Sequence, residues 1–207
     1  MTRVKVCGIT SVGDARWAAE CGTDAIGLIF IESPRRVDVA RASEIVAALP
    51  PYTTPVGLFA EVSAEEMAET ASEVGLRVVQ IHGAFPPEAA LGLKRRGIKV
   101  VKAVAVGSVE DIREMRGYPA EAFLLDAKAE GKHGGTGKTF DWSLAREAKE
   151  LGAVILAGGL GPDNVAEAIR QVKPYAVDAS SRLEAKPRVK DPELVRRFVE
   201  AAKQAGG

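Results

Sequence analysis

Residues 153–181, AVILAGGLGPDNVAEAIRQVKPYAVDASS, contain two short β-type runs with a helix-type segment between them. The runs AVILA (153–157) and YAVDA (175–179) are rich in small and branched apolar residues, as is typical of parallel strands covered on both faces. Between them, Gly161-Pro162 predicts the start of a helix, because proline at the first helical position loses no hydrogen bond. This stretch therefore predicts a strand–helix–strand unit with parallel strands.

The same alternation extends back to the amino terminus. Six further strand candidates precede this unit: 3–7 (RVKVC), 25–30 (AIGLIF), 55–60 (PVGLFA), 77–81 (RVVQI), 98–105 (IKVVKAVA) and 121–126 (EAFLLD). The intervening segments have helical start signals, such as Ser63 followed three residues later by Glu66, and Asp191-Pro192 opens a last helix. Eight strands, each followed by a helix, predict an α/β fold.

Closure of the sheet is favoured over an open arrangement. No candidate edge strand shows the charges or prolines that protect an exposed edge, so we expect a single (βα)8 barrel, the TIM barrel. The chain contains no linker or break in composition, and residues 1–207 are therefore predicted to form one barrel domain.

Composition excludes several classes of protein. The 28 basic and 28 acidic residues cancel, so the basic excess of a nucleic-acid binder is missing. The apolar runs are only as long as strands, and no export signal precedes the first strand, which favours a cytoplasmic protein without membrane spans. Two cysteines and two histidines suit neither a disulfide framework nor a zinc site, and we expect no metal.

In a barrel of this kind, functional residues belong at the carboxyl ends of the strands and in the loops that follow them. Cys7 ends the first strand candidate and Asp126 ends the sixth, so a thiol and a carboxyl group can face one another across the barrel mouth. They can act as base and acid if the thiol, whose ordinary pKa is about 8.5, is shifted. The residues alone leave two alternatives open: a small buried strand residue for Cys7 and a helix or loop cap for Asp126.

The loops after the last two strands suit a phosphate group. Gly158-Gly159 follows the seventh strand and Ser180-Ser181 follows the eighth, where barrels that bind phosphorylated ligands place backbone N–H groups. Glycine lets the backbone approach a phosphate closely, although a tight turn is the alternative reading. We therefore expect a small phosphorylated ligand.

Other polar residues near strand ends have both functional and structural readings. Arg35 and Arg36 follow the second strand, and a guanidinium can bind a carboxylate through its planar fork of donors, but adjacent arginines are often only solvated. His82 follows the fourth strand and could equally be a hydrogen-bonded structural residue. Lys102 lies within the fifth strand, where a Schiff-base lysine of an aldolase is a second enzymatic reading.

The segment 127–139, AKAEGKHGGTGKT, is the longest glycine-rich loop. A P-loop needs glycine five positions before the GKT at 137–139, but Lys132 stands there, and the segment is not predicted to bind ATP. Its composition favours a loop, including His133, that closes over the barrel mouth.

Five segments in chain order resemble successive motifs of the phosphoribosylanthranilate isomerase family: KVCGIT (5–10), VQIHG (79–83), GGTGKTFDW (134–142), LAGGLGPDNV (156–165) and AVDASSRLE (176–184). They span the chain from the first strand to the segment after the eighth, and together they are highly specific. The resemblance implies an Amadori rearrangement in tryptophan biosynthesis, converting N-(5'-phosphoribosyl)anthranilate to the corresponding 1-deoxyribulose 5-phosphate. It implies neither a redox cofactor nor a metal.

The resemblance also assigns roles to residues already singled out. Asp126 matches the general acid and Cys7 the general base, while Arg36 matches the arginine that faces the anthranilate carboxylate, with Arg35 as the alternative. The remaining matched positions are those beside the substrate, His82 and Asp178, and those of the phosphate site, Gly158, Gly159, Ser180 and Ser181.

This chain departs from the family pattern at two points. Arg182 stands where the pattern has glycine, and Lys186-Pro187-Arg188 stands where a proline-glycine pair is expected, so the geometry of the phosphate loop is open. Apolar positions on the outer helices permit a homodimer as well as a monomer. A non-catalytic binding barrel is a third reading, and it predicts a Cys7 side chain directed away from the cavity.

Overall fold

Eight parallel strands form a closed barrel in this computed structural model, which describes residues 1–127 and 142–207. The strands follow one another round the barrel in chain order: β1 (Arg3–Cys7), β2 (Ala25–Ile29), β3 (Thr54–Phe59), β4 (Val78–Ile81), β5 (Lys99–Val106), β6 (Ala122–Ala127), β7 (Ala153–Leu156) and β8 (Ala176–Ala179). Each lies within one residue, at either end, of its prediction from the sequence. The predicted (βα)8 barrel is confirmed.

A helix follows each strand: α1 (Val12–Glu20), α2 (Val39–Ala47), α3 (Ala64–Val74), α4 (Pro87–Arg95), α5 (Val109–Arg113), α6 (Trp142–Ala148), α7 (Val165–Val172) and α8 (Pro192–Ala205). Between β8 and α8 the chain adds a 3-10 turn, Ser181–Leu183, and a small antiparallel hairpin of β9 (Glu184–Lys186) and β10 (Val189–Lys190). No helix within the two described ranges is both long and apolar enough to cross a membrane.

Two predicted helix starts are confirmed by their hydrogen bonds. Ser63 and Glu66 form a reciprocal capping box at the start of α3, each side chain bonding to the other's backbone N–H. The Asp191 carboxylate accepts hydrogen bonds from the backbone N–H groups of Glu193 and Leu194 at the start of α8.

The helix start predicted at Gly161-Pro162 is wrong, because α7 begins at Val165. The reason is local hydrogen bonding by Asn164. Its side chain accepts from the Gly161 N–H at 2.8 Å and donates to the Gly159 carbonyl at 3.0 Å. A turn held in this way places the proline ahead of the helix rather than at its first position.

The closure of the barrel pairs β1 with β2 on one side and with β8 on the other. Alternate residues of each strand face inward. On β5, β6, β7 with the residue after it, and β8, they form an apolar cluster inside the barrel: Val101, Ala103, Ala122, Leu124, Ile155, Ala157 and Ala176. A larger apolar cluster packs the outer strand faces against the helices. Several of the inward residues are small, so a cavity remains open at the carboxyl ends of the strands.

Two predictions fall on the remaining residues: the closing loop, and the family motif GGTGKTFDW (134–142) except for Trp142. Apart from Ala127, the last residue of β6, the segment 127–139 with His133 lies outside the described residues.

Candidate active site

A cavity of about 770 Å³ opens at the carboxyl ends of the barrel strands. It brings together six of the nine site residues expected from the sequence: Cys7, Arg36, His82, Asp126, Asp178 and Ser180. They come from five different strands or the loops after them, so only barrel closure assembles them.

Cys7 lies at the end of β1 with its side chain on the cavity wall, and it is only 5% exposed. Its neighbour in register on β2 is Gly27, and a Cβ at that glycine would come within 2.7 Å of the Cys7 Sγ. Glycine at position 27 is therefore needed for the thiol to lie where it does. The orientation of Cys7 towards the cavity is the opposite of what the non-catalytic reading predicts.

A buried ion pair lies below the thiol. Lys5, two residues earlier on the same inward face of β1, donates from its Nζ to the Asp178 Oδ1 at 2.9 Å. Both residues are buried, at 4% and 8% exposure. Burial alone would lower the pKa of Lys5, but the charges of Asp178 and Cys7 raise it overall, so the ammonium stays charged.

The Cys7 thiol is subject to opposing influences. Burial raises its pKa above the ordinary value for a thiol, and the carboxylate of Asp178 acts in the same direction. The charges of Lys5 and Lys190 oppose this rise, and Lys5 also hydrogen-bonds to the thiol. A base at this position therefore depends on nearby cations to form its thiolate.

Asp126 is near the end of β6, separated from β1 round the barrel by β7 and β8. It is half-buried, and like Leu124 two residues before it, it lines the cavity. The thiol and the carboxyl group therefore reach one cavity from separate strands, as the acid–base reading expects.

The two arginines after β2 differ in their surroundings. The Arg35 guanidinium makes two hydrogen bonds to the Glu184 carboxylate, at 2.6 and 2.7 Å, and that carboxylate also accepts from the buried Lys190 Nζ at 3.1 Å. Burial alone would raise the pKa of Glu184, but the hydrogen bonds from Arg35 and the charge of Lys190 lower it overall. Arg36 is exposed on the cavity rim, which makes it the better placed of the two to bind a ligand.

The expected phosphate residues lie in adjoining loops. Ser180 lines the cavity, whereas Gly158, Gly159 and Ser181 are not among its lining residues. Both glycines have left-handed backbone angles, with φ of 82° and 63°. Ser181 opens the short 3-10 turn.

The two departures from the family pattern both form contacts between loops. Arg182 donates from one guanidinium nitrogen to the Gly159 carbonyl at 2.9 Å and from another to both oxygens of Asp163 at 2.8 Å. Arg188 keeps a left-handed φ of 75° and donates to the carbonyl oxygens of Pro34, at 2.6 Å, and Arg36, at 3.3 Å. Arg182 therefore holds the loop after β7 in position, and Arg188 holds the loop after β2.

Lys102 does not support the aldolase reading. Its side chain leaves β5 on the face opposite that of Val101 and Ala103, and it does not line the cavity. Its Nζ donates to the Gly83 carbonyl at 2.6 Å. Burial does lower the pKa of Lys102, as a Schiff-base lysine requires, but the amine is not on the cavity wall.

Three residues beside the cavity were not singled out as site residues from the sequence: Lys5, Gln80 and Glu184. Lys5 stands two positions before Cys7 on β1, and Gln80 stands two positions before His82, which directly follows β4; both interrupt an apolar run. That pattern is a usable signal, since residues two apart on a strand share a face. Glu184 had no comparable signal, because its partner Arg35 is distant along the chain.

Comparison with known proteins agrees with this geometry. The family model described as N-(5'phosphoribosyl)anthranilate (PRA) isomerase matches residues 4–201. The chain belongs to the phosphoribosylanthranilate isomerase family. A curated isomerase of this name from Rubrobacter xylanophilus is 50% identical over 205 residues, covering 98% of this chain and 100% of the relative.

Solved phosphoribosylanthranilate isomerases share the fold over nearly the whole chain. One structure, of monomers generated from the dimeric isomerase of Thermotoga maritima, has a TM-score of 0.89 at 38% identity and covers 99% of this chain and 100% of that one. A second isomerase structure has the same TM-score, identity and coverage, and contains reduced 1-(o-carboxyphenylamino)-1-deoxyribulose 5-phosphate.

Proposed function

We propose that residues 1–207 form one catalytic domain that converts N-(5'-phosphoribosyl)anthranilate to 1-(2-carboxyphenylamino)-1-deoxyribulose 5-phosphate in tryptophan biosynthesis, with Asp126 as general acid and Cys7 as general base. The observation that carries these roles is that a thiol and a carboxyl group from separate strands line one cavity. Family membership supports the reaction, and the cavity supports the roles.

The two groups suit the two proton transfers of this rearrangement. Asp126 gives a proton to the ribose ring oxygen, the C1'–O bond breaks, and the nitrogen lone pair forms an iminium at C1'. Cys7 then takes the proton from C2', which yields an enolamine. Tautomerisation moves a proton to C1' and leaves a ketone at C2', so no atom is gained or lost.

The surroundings of Cys7 support its part in this sequence. The thiol must be deprotonated to accept the C2' proton, and burial opposes that. Lys5 and Lys190 lie near enough to stabilise the thiolate, and the pairing of Lys5 with Asp178 holds its ammonium in place. Asp178 itself lines the cavity, beside the expected position of the sugar.

Both ends of the substrate are anionic, a carboxylate at one end and a phosphate at the other, and each needs hydrogen-bond donors. We place the anthranilate carboxylate against Arg36, because Arg35 is already bonded to Glu184. The phosphate belongs to the loops of Gly158-Gly159 and Ser180-Ser181, next to the cavity. His82, on the cavity wall, contacts the part of the substrate between these ends.

The activity is tested by adding freshly generated phosphoribosylanthranilate, without metal or nucleotide, and following the loss of its fluorescence. We expect decay well above the spontaneous rate. Folded protein that leaves the spontaneous rate unchanged would contradict the proposed reaction.

Sedimentation of the same sample distinguishes the monomer and homodimer, both of which are compatible with the sequence.

Arg36→Ala is expected to raise KM for phosphoribosylanthranilate about tenfold and to change kcat little. A charge-assisted hydrogen bond to a carboxylate is worth about 1.5–3 kcal/mol when buried, and the exposure of Arg36 reduces this. Steady-state kinetics measures both constants. Arg35→Ala is the matched variant, and its main expected effect is a lower melting temperature, because it breaks the pairing with Glu184. An unchanged KM for Arg36→Ala would show that a residue other than Arg36 binds the carboxylate.

Arg182→Gly is expected to weaken competitive inhibition by inorganic phosphate about threefold to fivefold at unchanged kcat. Arg182 holds the Gly159 carbonyl, and a partly exposed charged contact is worth about 1 kcal/mol or less. The inhibition constant is measured at low salt, with Arg170→Gly on the outer face of α7 as the control. Equal inhibition constants for the Arg182 variant and the wild type would show that this loop does not take part in phosphate binding.

A further inference from the structure

Gln80 is a buried polar residue in the wall of the cavity. It is the third residue of β4, only 2% exposed, and its neighbours in register are the apolar Leu58 on β3 and Val101 on β5. It shares the inward face of the strand with Val78, below it, and its side chain lines the cavity beside those of Leu58 and Asp126. A glutamine in such a position needs hydrogen-bond partners for both ends of its amide.

One end of the amide has a partner and the other does not. The Gln80 Nε2 lies 2.8 Å from the His82 Nε2, so the amide N–H donates to a ring nitrogen that acts as acceptor. The Gln80 Oε1 is buried without any hydrogen-bond partner among residues 1–127 and 142–207. Rotating the amide by 180° would only exchange which end is unpaired, because the same ring nitrogen faces a single end.

This unpaired atom differs from the comparable ones elsewhere. In the described parts of the chain, the other buried side-chain atoms without a partner are the Thr23 Oγ1 and the Trp142 Nε1. Neither residue lines the cavity. Thr23 precedes β2 at the opposite end of the barrel, and Trp142 adjoins the segment that is not described. Gln80 alone among these three places its unpaired atom beside the residues assigned to the reaction.

We propose that Gln80 is a substrate-binding residue whose amide oxygen accepts a hydrogen bond from a hydroxyl or amine N–H of the bound sugar amine. A buried acceptor left unpaired destabilises the free protein, and a ligand donor removes that penalty on binding. The hydrogen bond to His82 holds the amide in orientation, so little rotational freedom is lost when the substrate enters. The inference rests on the proposed function, because it takes its ligand from that reaction.

Gln80→Met tests the proposal, since methionine keeps the length of the side chain and removes both polar ends. The probe is reduced 1-(o-carboxyphenylamino)-1-deoxyribulose 5-phosphate, which keeps hydroxyl groups and an amine N–H. We expect calorimetric titration to show about tenfold weaker binding to the variant than to the wild type. Binding of the probe to Gln80→Met with wild-type affinity would overturn the proposal, whatever the variant's stability.

Thr23→Val is the matched control, because it removes an unpaired buried hydroxyl outside the cavity. It is expected to keep wild-type affinity for the probe and wild-type activity. If Gln80 served only the fold, Gln80→Met would lower the melting temperature and leave the affinity per folded molecule unchanged. Wild-type protein that binds the probe but does not convert phosphoribosylanthranilate would contradict the proposed function and leave the Gln80 contact standing.

Discussion

Asp126→Asn lowers kcat for phosphoribosylanthranilate by about 10²–10⁴-fold, the range typical of a general acid, and leaves KM nearly unchanged. Asparagine keeps the size of the side chain and its ability to hydrogen-bond, but it cannot deliver a proton to the ribose ring oxygen. The half-buried position of Asp126 on the cavity wall makes water a poor substitute for the lost proton donor. The loss therefore falls on the chemical step rather than on binding.

Stopped-flow fluorescence at saturating substrate measures this effect, and titration with the reduced product analogue shows whether binding is kept. Glu20→Gln is the control, since it removes an exposed carboxylate at the end of α1, away from the cavity, and is expected to keep wild-type kcat. A nearly fully active Asp126→Asn enzyme would assign the acid to another group.

Cys7→Ser is expected to lower kcat by a similar factor, about 10²–10⁴-fold, again with little change in binding. Serine is close in size to cysteine, but its hydroxyl does not ionise at accessible pH and is a poor acceptor for the C2' proton. Cys7 is buried, and it lines the cavity together with other side chains, including Gln80 and Asp178. A nearly active Cys7→Ser enzyme would exclude the thiol as the base.

The pH dependence of the wild type provides an independent test of Cys7. The reaction needs the acid protonated and the base deprotonated at the same time. Because carboxyl groups ordinarily titrate at lower pH than thiols, kcat/KM is level between the two pKa values and falls once the thiolate is fully formed. Because burial raises the pKa of Cys7, this fall is expected above the ordinary thiol value of about 8.5. Lys5, Lys190 and Asp178 are the charged groups that act on the thiol, and all three remain in the Cys7→Ser variant.

Cys7→Ser should therefore lose the alkaline fall without a change in the surrounding charges, because serine does not ionise in this pH range. Cys21→Ser is the matched control, because Cys21 follows α1 away from the cavity and is expected to be replaceable without loss of rate. A fall of kcat/KM in the same pH range in the Cys7→Ser enzyme would assign the titration to a different group.

Much of the fold was predictable because local patterns and tertiary contacts demand the same residues. A run such as AVILA at residues 153–157 is apolar on both faces, and only a strand covered by helices outside and packed inside accommodates it. The start of α7 was not predictable from Gly161-Pro162. The side chain of Asn164 bonds to the N–H of Gly161 in that pair and to the carbonyl of Gly159 before it, and neither propensity nor periodicity reports such a turn.

The site, like the fold, has features that the sequence predicts and features that it does not. The positions of Cys7 and Asp126 follow from the rule that strand ends meet at the mouth of a barrel, once eight strands are recognised. The choice between Arg35 and Arg36 does not follow, because the two are adjacent and chemically identical. Glu184, far along the chain, bonds to Arg35 and leaves Arg36 exposed on the rim.

The sequence by itself determined the barrel, the order of its strands and which residues stand at their carboxyl ends, since these depend on periodicity and on neighbours along the chain. Only the tertiary structure decided which charges pair. Lys5 meets Asp178, and Glu184 meets Arg35 and Lys190, across sequence separations that no local pattern spans. Electrostatic and hydrogen-bond energies depend on distances between side chains and on their burial, and those quantities exist only after the barrel has closed.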